Sequence, residues 1–120
     1  MINTVDHLII AVQDLNEAEQ DYKKLFGIEP VWRGEHKELG TENVIFNFKN
    51  TYLELLSAKG EGLGAMLVNN TIQENGDGLI GVVFGVENIK EASKSLISEG
   101  FAITEVSDAV SYTHLTLPTT

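Results

Sequence analysis

Two polar side chains interrupt apolar runs where a plain core would exclude them. His7 lies inside Val5–Val12, and Glu54 lies inside Tyr52-Leu53-Glu54-Leu55-Leu56. Read as strands, the two runs place His7 on one face with Ile9 and Ala11, and Glu54 on one face with Tyr52 and Leu56. A carboxylate in such a setting must be exposed, paired, or bound to a cation, because an isolated buried charge is costly. An imidazole nitrogen and a carboxylate oxygen on neighbouring strands make a half-site for Zn²⁺, Ni²⁺, Mn²⁺ or Fe²⁺. The plainer alternatives are a His7–Glu54 hydrogen bond, or a Glu54 on a solvated sheet face.

Other candidates carry less chemistry. His36 sits in Arg33-Gly34-Glu35-His36-Lys37-Glu38, which reads as a solvated hairpin end. Trp32 and Arg33 would contact a ligand at a cavity mouth, or Trp32 would simply pack. Ser57, Ser93, Ser95 and Ser98 have no His or acid at triad-like positions, and Gly-x-Ser-x-Gly is absent. Asp77, in Asn75-Gly76-Asp77-Gly78, is a turn residue by type.

The elements that must position His7 and Glu54 follow from periodicity. Val5–Val12 reads as a buried strand. Asp14, with Glu17 three residues on, forms a capping pattern. Leu15, Ala18, Tyr22, Leu25 and Phe26 then follow at helical spacing, and Gly27 closes the helix. Pro30–Arg33, Asn43–Phe48 and Tyr52–Ser57 are three further strands, with Lys49-Asn50-Thr51 a hairpin connection. This half is β-α-β-β-β.

Sliding by 74 residues sets Asn88 on Asp14, Ile89 on Leu15, Glu91 on Glu17 and Ala92 on Ala18. A second copy therefore begins at the strand Leu79–Val86, continues as a helix closed by Gly100, and enters a strand over Phe101–Val106. The fold class is α+β, with two βαβββ modules of which the second is incomplete. Module one spans residues 1–58, a partial module two spans 79–108, and 59–78 joins them. That joining segment is Gly- and Asn-rich and reads as a flexible linker. Its Gly60-Glu61-Gly62-Leu63-Gly64 fits neither phosphate-binding fingerprint.

Composition narrows the partners. Eight basic against 18 acidic residues give a net charge of −10, which repels nucleic acid and anionic membrane alike. With no cysteine there is no disulfide framework and no thiol nucleophile. No signal peptide or membrane-spanning run is visible, so a cytoplasmic location is expected.

The tail differs from the rest. Every Asp, Glu, Lys and Arg falls within positions 1–108, and four of the eleven residues Val110–Thr120 are Thr. The codons GTC TCT TAT ACA CAT CTG ACG CTG CCG ACG A encode this stretch and resemble a transposon-type sequencing adapter. Residues 109–120, His114 included, are therefore expected to be non-native, with the native chain continuing past Asp108.

The opening Asp6-His7-Leu8-Ile9-Ile10-Ala11-Val12, Leu25-Phe26-Gly27 at the helix end, Gly40-Thr41-Glu42-Asn43, and Tyr52-Leu53-Glu54-Leu55-Leu56 in a β-α-β-β-β unit together resemble the vicinal oxygen chelate superfamily, in its glyoxalase-like branch. The resemblance covers residues 5–106. It implies a curved mixed sheet around a cavity, and a divalent metal held by up to four side chains. His7 and Glu54 stand at the two first-module ligand positions. The 74-residue offset puts Gly81 where metal-binding members carry His or Gln, and the fourth position falls beyond Asp108. The site is thus incomplete in this sequence, and a homodimer would be one way to complete it.

The implied function is a metal-dependent lyase or isomerase on a small molecule with vicinal oxygens. The alternative is a metal-free binding protein of the bleomycin-resistance kind, to which the acidic charge and Gly81 are suited. An extradiol dioxygenase ranks last, because it needs a second His.

Overall fold

The computed structural model describes residues 2–103 and 114–118. In chain order the elements are β1 (Ile2–Ala11), α1 (Leu15–Phe26), β2 (Trp32–His36), β3 (Thr41–Asn47), β4 (Tyr52–Ala58), α2 (Leu63–Asn75), β5 (Gly78–Val86), α3 (Ile89–Ser98) and β6 (His114–Pro118). The strands form one mixed sheet in the order β2-β3-β4-β1-β5-β6. Only the β1–β4 pair is parallel among these neighbours. Module one is complete as β1-α1-β2-β3-β4, and β5-α3 repeats its start.

The repeat is visible in the caps. Asp14 accepts a hydrogen bond from the Glu17 amide at 3.0 Å, and Asn88 accepts one from the Glu91 amide at 3.1 Å. Each satisfies an amide that the first helical turn leaves without a backbone partner. Gly27 ends α1 in the left-handed region at φ 69°, returning its amide to the Lys23 carbonyl.

Alternation along β4 divides the protein into two layers. Leu53 and Leu55 point to one side, where Val44 and Phe46 of β3 meet Val12, Leu15 and Ala18 under α1. Phe26 closes this layer edge-on to Phe46 and Phe48, at centroid distances of 5.4 and 4.9 Å. Leu56 and Ala58 point to the other side, where Val68 of α2 packs with Ala11 and Ile80. Helix α2 covers only the Leu56–Ala58 end of this second face. Tyr52, Glu54 and His7 continue the same face beyond it.

Three expectations change. The segment 59–78, read as a flexible linker, contains α2. It escaped notice because Gly62 at its start makes no side-chain cap, and exposed Leu63, Met66 and Leu67 blur its polar face. What holds it is burial of Ala65, Val68 and Thr71 at helical spacing. Strand β2 begins at Trp32 rather than Pro30 and continues through His36, so Arg33–His36 belong to the strand and not to a loop end. The turn lies beyond, closed by the Gly40 amide donating to the His36 carbonyl at 3.0 Å. Phe101–Ile103 are not strand. Phe101 instead returns its amide to the Leu96 carbonyl at 3.0 Å, and residues 104–106 lie outside the described ones. Residues 114–118, within the expected adapter-derived tail, form β6 and pair antiparallel with β5 along Val82–Leu117 and Phe84–Leu115.

Candidate functional site

Strand pairing carries His7 and Glu54 to each other. Parallel β1 and β4 set His7 opposite Tyr52 and Ile9 opposite Glu54. The two polar residues are therefore diagonal neighbours on one face, and His7 Nε2 lies 3.1 Å from Glu54 Oε1. Their side chains are 12% and 16% exposed, enough to meet solvent but not to be fully hydrated.

The other nitrogen, His7 Nδ1, lies 2.8 Å from Asp6 Oδ2. Adjacent residues of a regular strand point to opposite faces, so this contact needs an irregularity. One is present. Val5 pairs with Phe84 and His7 with Val83, leaving Asp6 as the extra residue of a bulge. A bulge re-aims a side chain in this way. Both ring nitrogens therefore face carboxylates, which only an imidazolium satisfies as a donor on both sides. Burial disfavours that charge, but the hydrogen bonds and charges of Glu54 and Asp6 outweigh it and hold the His7 pKa above its ordinary 6.5.

Two further residues complete the centre. Tyr52 stacks on His7, with ring centroids 4.2 Å apart and planes inclined by 10°. Burial, then the charge and hydrogen bond of Asp6, push its phenol well above the ordinary 10.0, so it stays a neutral donor. On the other side Asn43 Nδ2 donates to Glu54 Oε2 at 2.8 Å, and Trp32 Nε1 donates to Asn43 Oδ1 at 3.3 Å. Both oxygens of Glu54 are thus held, one by a cation and one by an amide. Such charge-assisted bonds are the stronger kind. Among the described side chains no buried polar atom lacks a partner.

The residue types expected at the site separate. His7 and Glu54 meet, and Trp32 joins them through Asn43. Arg33 does not: its guanidinium reaches Glu19 and Asn16, each at 2.6 Å. Ser57 is buried, with its hydroxyl on the Gln13 carbonyl at 3.3 Å, and Asp77 accepts from the Gln13 amide at 3.0 Å. Asp6, Asn43 and Tyr52 were not singled out. Alternation had already put Tyr52 on the Glu54 face, whereas no sequence signal marks the bulge at Asp6.

Gly81, at the expected second-module ligand position, lies in the same part of the sheet. Across the sheet it stands in one row with Glu54, Ile9 lying between them. It offers no donor there, and His7 itself is paired with Val83. Among the described residues no three His, Asp or Glu side chains are grouped to hold a metal ion. The donor set fits two positions of a site that normally needs three or four. A cleft of about 530 Å³ at the start of α1, lined by Asp14, Glu17, Glu42 and Asp77, does not include His7 or Glu54. It lies on the α1 side, because Glu42 pairs with Ser57, which alternates with Leu53 and Leu55. Among the described residues no helix is long and apolar enough to cross a membrane.

Comparison with known proteins agrees with this architecture. The family model described as a glyoxalase-like domain matches residues 5–114. A mitochondrial methylmalonyl-CoA epimerase of Dictyostelium discoideum is 32% identical over 106 residues, covering 85% of this chain. The chain spans 60% of the length of that relative. Among solved structures, a Streptomyces coelicolor methylmalonyl-CoA epimerase variant in complex with 2-nitronate-propionyl-CoA superposes with a TM-score of 0.76 at 20% identity, covering 98% of this chain and 85% of that one. The methylmalonyl-CoA epimerase of Mycobacterium tuberculosis does so at 0.74 and 17% identity, covering 98% and 79%. At such identities these structures bear on the fold alone.

Proposed function

The chain belongs to the glyoxalase-like domain family of the vicinal oxygen chelate superfamily, and from that premise we propose that it is an isomerase-type enzyme moving a proton on the carbon beside the carbonyl of a small acyl thioester. The observation that carries this reading is the Glu54 carboxylate, half-buried and held through both oxygens by His7 and Asn43. The curated epimerase relative supports the substrate class.

In this reading Glu54 accepts the proton. The C–H bond breaks, its electron pair enters the adjacent carbonyl system as an enolate, and an O–H bond forms at the carboxyl. A proton from solvent adds to that carbon, and Glu54 loses its own proton to solvent, which completes the isomerisation and restores the carboxylate. His7 and Asn43 orient the carboxylate, and Asp6 holds the imidazolium that neutralises it. General base catalysis by a positioned carboxylate contributes about 10²- to 10⁴-fold. Methylmalonyl-CoA incubated in D₂O, followed by mass spectrometry, tests this. Deuterium enters at the carbon beside the thioester, and Glu54→Gln slows entry by at least about 10²-fold. Entry no faster than in buffer, or undiminished in Glu54→Gln, rules the reading out.

His7 Nε2 and Glu54 Oε1 are also the pair that a divalent ion such as Zn²⁺, Ni²⁺, Mn²⁺ or Fe²⁺ would use. Its remaining donors would come from beyond the described residues or from a second copy, so no step above is routed through it.

A second reading is favoured by the net charge of −10 and by Gly81. In it the same face sequesters a flat or cationic small molecule without chemistry. Ligand binding that survives Glu54→Ala in metal-free protein would support it.

A further inference from the structure

The indole of Trp32 is more than half exposed, at 57%, although it belongs to the hydrogen-bonded string that ends on Glu54. An exposed large aromatic is ordinary on a protein surface. This one is held in place in two ways. Trp32 folds along its own strand over Gly34, so closely that a Cβ at Gly34 would lie 2.7 Å from two indole atoms. Any side chain at Gly34 would have to push the indole aside, and the backbone angle plays no part. The indole N–H is then tied to Asn43, which is the cross-strand partner of Gly34.

The hydrogen bonds also fix the Asn43 amide. The indole nitrogen only donates, so it must meet the amide oxygen. The carboxylate only accepts, so it must meet the amide nitrogen. Trp32 therefore lies over Gly34 with more than half of its surface exposed, tied to the polar centre through Asn43.

The charges around it sum to a negative value. Asp6 and Glu54 flank a single imidazolium on this face. Arg33, the next residue along β2, turns away to Glu19 and Asn16, and Lys59 is taken by Glu35 at 2.8 Å. A cation over an indole face beside net negative charge gains from both the ring quadrupole and the field.

We propose that Trp32, seated on Gly34, is a ligand-stacking platform at the mouth of the His7–Glu54 centre, and that it takes a flat, positively charged ring. The platform concerns binding alone: it rests on the sequestering reading of this face and stands apart from the isomerase reading.

Trp32 is the one tryptophan of the chain, so its fluorescence reports this position without background. Three probes share one ring and differ in charge at neutral pH: 1-methylnicotinamide, nicotinamide and nicotinate. Quenching by 1-methylnicotinamide is expected to saturate, with a charge-transfer absorption band. Its affinity should exceed that of nicotinamide by about two- to fivefold, and nicotinate should quench only by collision. Gly34→Ala displaces the indole and should abolish saturation. Asn43→Ala, which removes the tether without crowding the strand, should weaken it, with circular dichroism confirming that both variants fold. Linear quenching by 1-methylnicotinamide with the slope of N-acetyltryptophanamide overturns the proposal, as does wild-type binding in both variants. Saturable binding without deuterium entry from D₂O upholds the platform and overturns the isomerase reading; deuterium entry without saturable binding does the reverse.

Discussion

His7 and Glu54 touch without being paired. His7 is in register with Tyr52 and Glu54 with Ile9, so their 3.1 Å contact runs diagonally between parallel strands. A diagonal contact is made by side chains reaching along the sheet, and here the imidazole is steadied by a stacked Tyr52 and a second carboxylate on Asp6. With Asn43 of β3 on the other oxygen of Glu54, the centre is thus built from five residues on three strands, and its properties can be tested one at a time.

Stability should depend on the His7 proton. Its folded pKa is raised above 6.5, the value it regains on unfolding, so the folded state holds the proton more tightly. The stabilisation is complete below pH 6.5 and is lost as pH rises through the folded value. Urea midpoints measured from pH 5.5 to 8.5 should fall across that window. In His7→Gln this component of the fall should vanish, and an unchanged profile would contradict the assignment.

The layer under α1 supports β3 and β4 from behind. Phe46 is fully buried and meets Phe26 edge-on. Phe46→Ala should destabilise the fold by about 3–5 kcal/mol in denaturant titration. A loss under about 1 kcal/mol would mean that the layer is not packed as described.

Asp14 caps α1 through one hydrogen bond to Glu17. Asp14→Ala should cost about 1 kcal/mol, while Asp14→Asn, which keeps the acceptor oxygen, should cost much less. Asn88→Ala should behave alike at α3. Equal losses for Asp14→Ala and Asp14→Asn would assign the effect to charge rather than to the cap.

Metal addition tests the donor pair directly. Co²⁺ at tenfold excess over its dissociation constant should stabilise the protein by about 1.4 kcal/mol, read as a rise in thermal midpoint. Both His7→Ala and Glu54→Ala should remove the rise. Persistence in either variant would show that the ion binds elsewhere.

The first module was legible because its signals are local. Asp14 with Glu17, the apolar stripe to Phe26, and Gly27 mark a helix whose start and stop depend on neighbours in sequence. Alternation through Tyr52–Leu56 likewise put Glu54 and Tyr52 on one face. Helix α2 was not legible, since it has no side-chain cap and becomes helical by burying Ala65, Val68 and Thr71, with Val68 packed on Ala11 of β1 and Ile80 of β5. Propensity and capping say little about a segment whose stability comes from tertiary packing.

The same division holds at the site. By itself the sequence determined that a histidine and a carboxylate interrupt two apolar strands, that the modules repeat at an offset of 74, and that Gly81 brings no side chain to the second. Those properties are written in residue type and spacing. Tertiary structure alone decided that His7 is clamped between two carboxylates, that Asn43 and Trp32 extend the centre outward, and that Gly81 shares a row with Glu54 while Val83 faces His7. The reason is register. One extra residue in a bulge at Asp6 re-aims a side chain and shifts the partners of His7, Leu8 and Ile9, until a second irregularity between Ile9 and Ile10 restores the register, and which residue bulges depends on the strand alongside rather than on the strand itself.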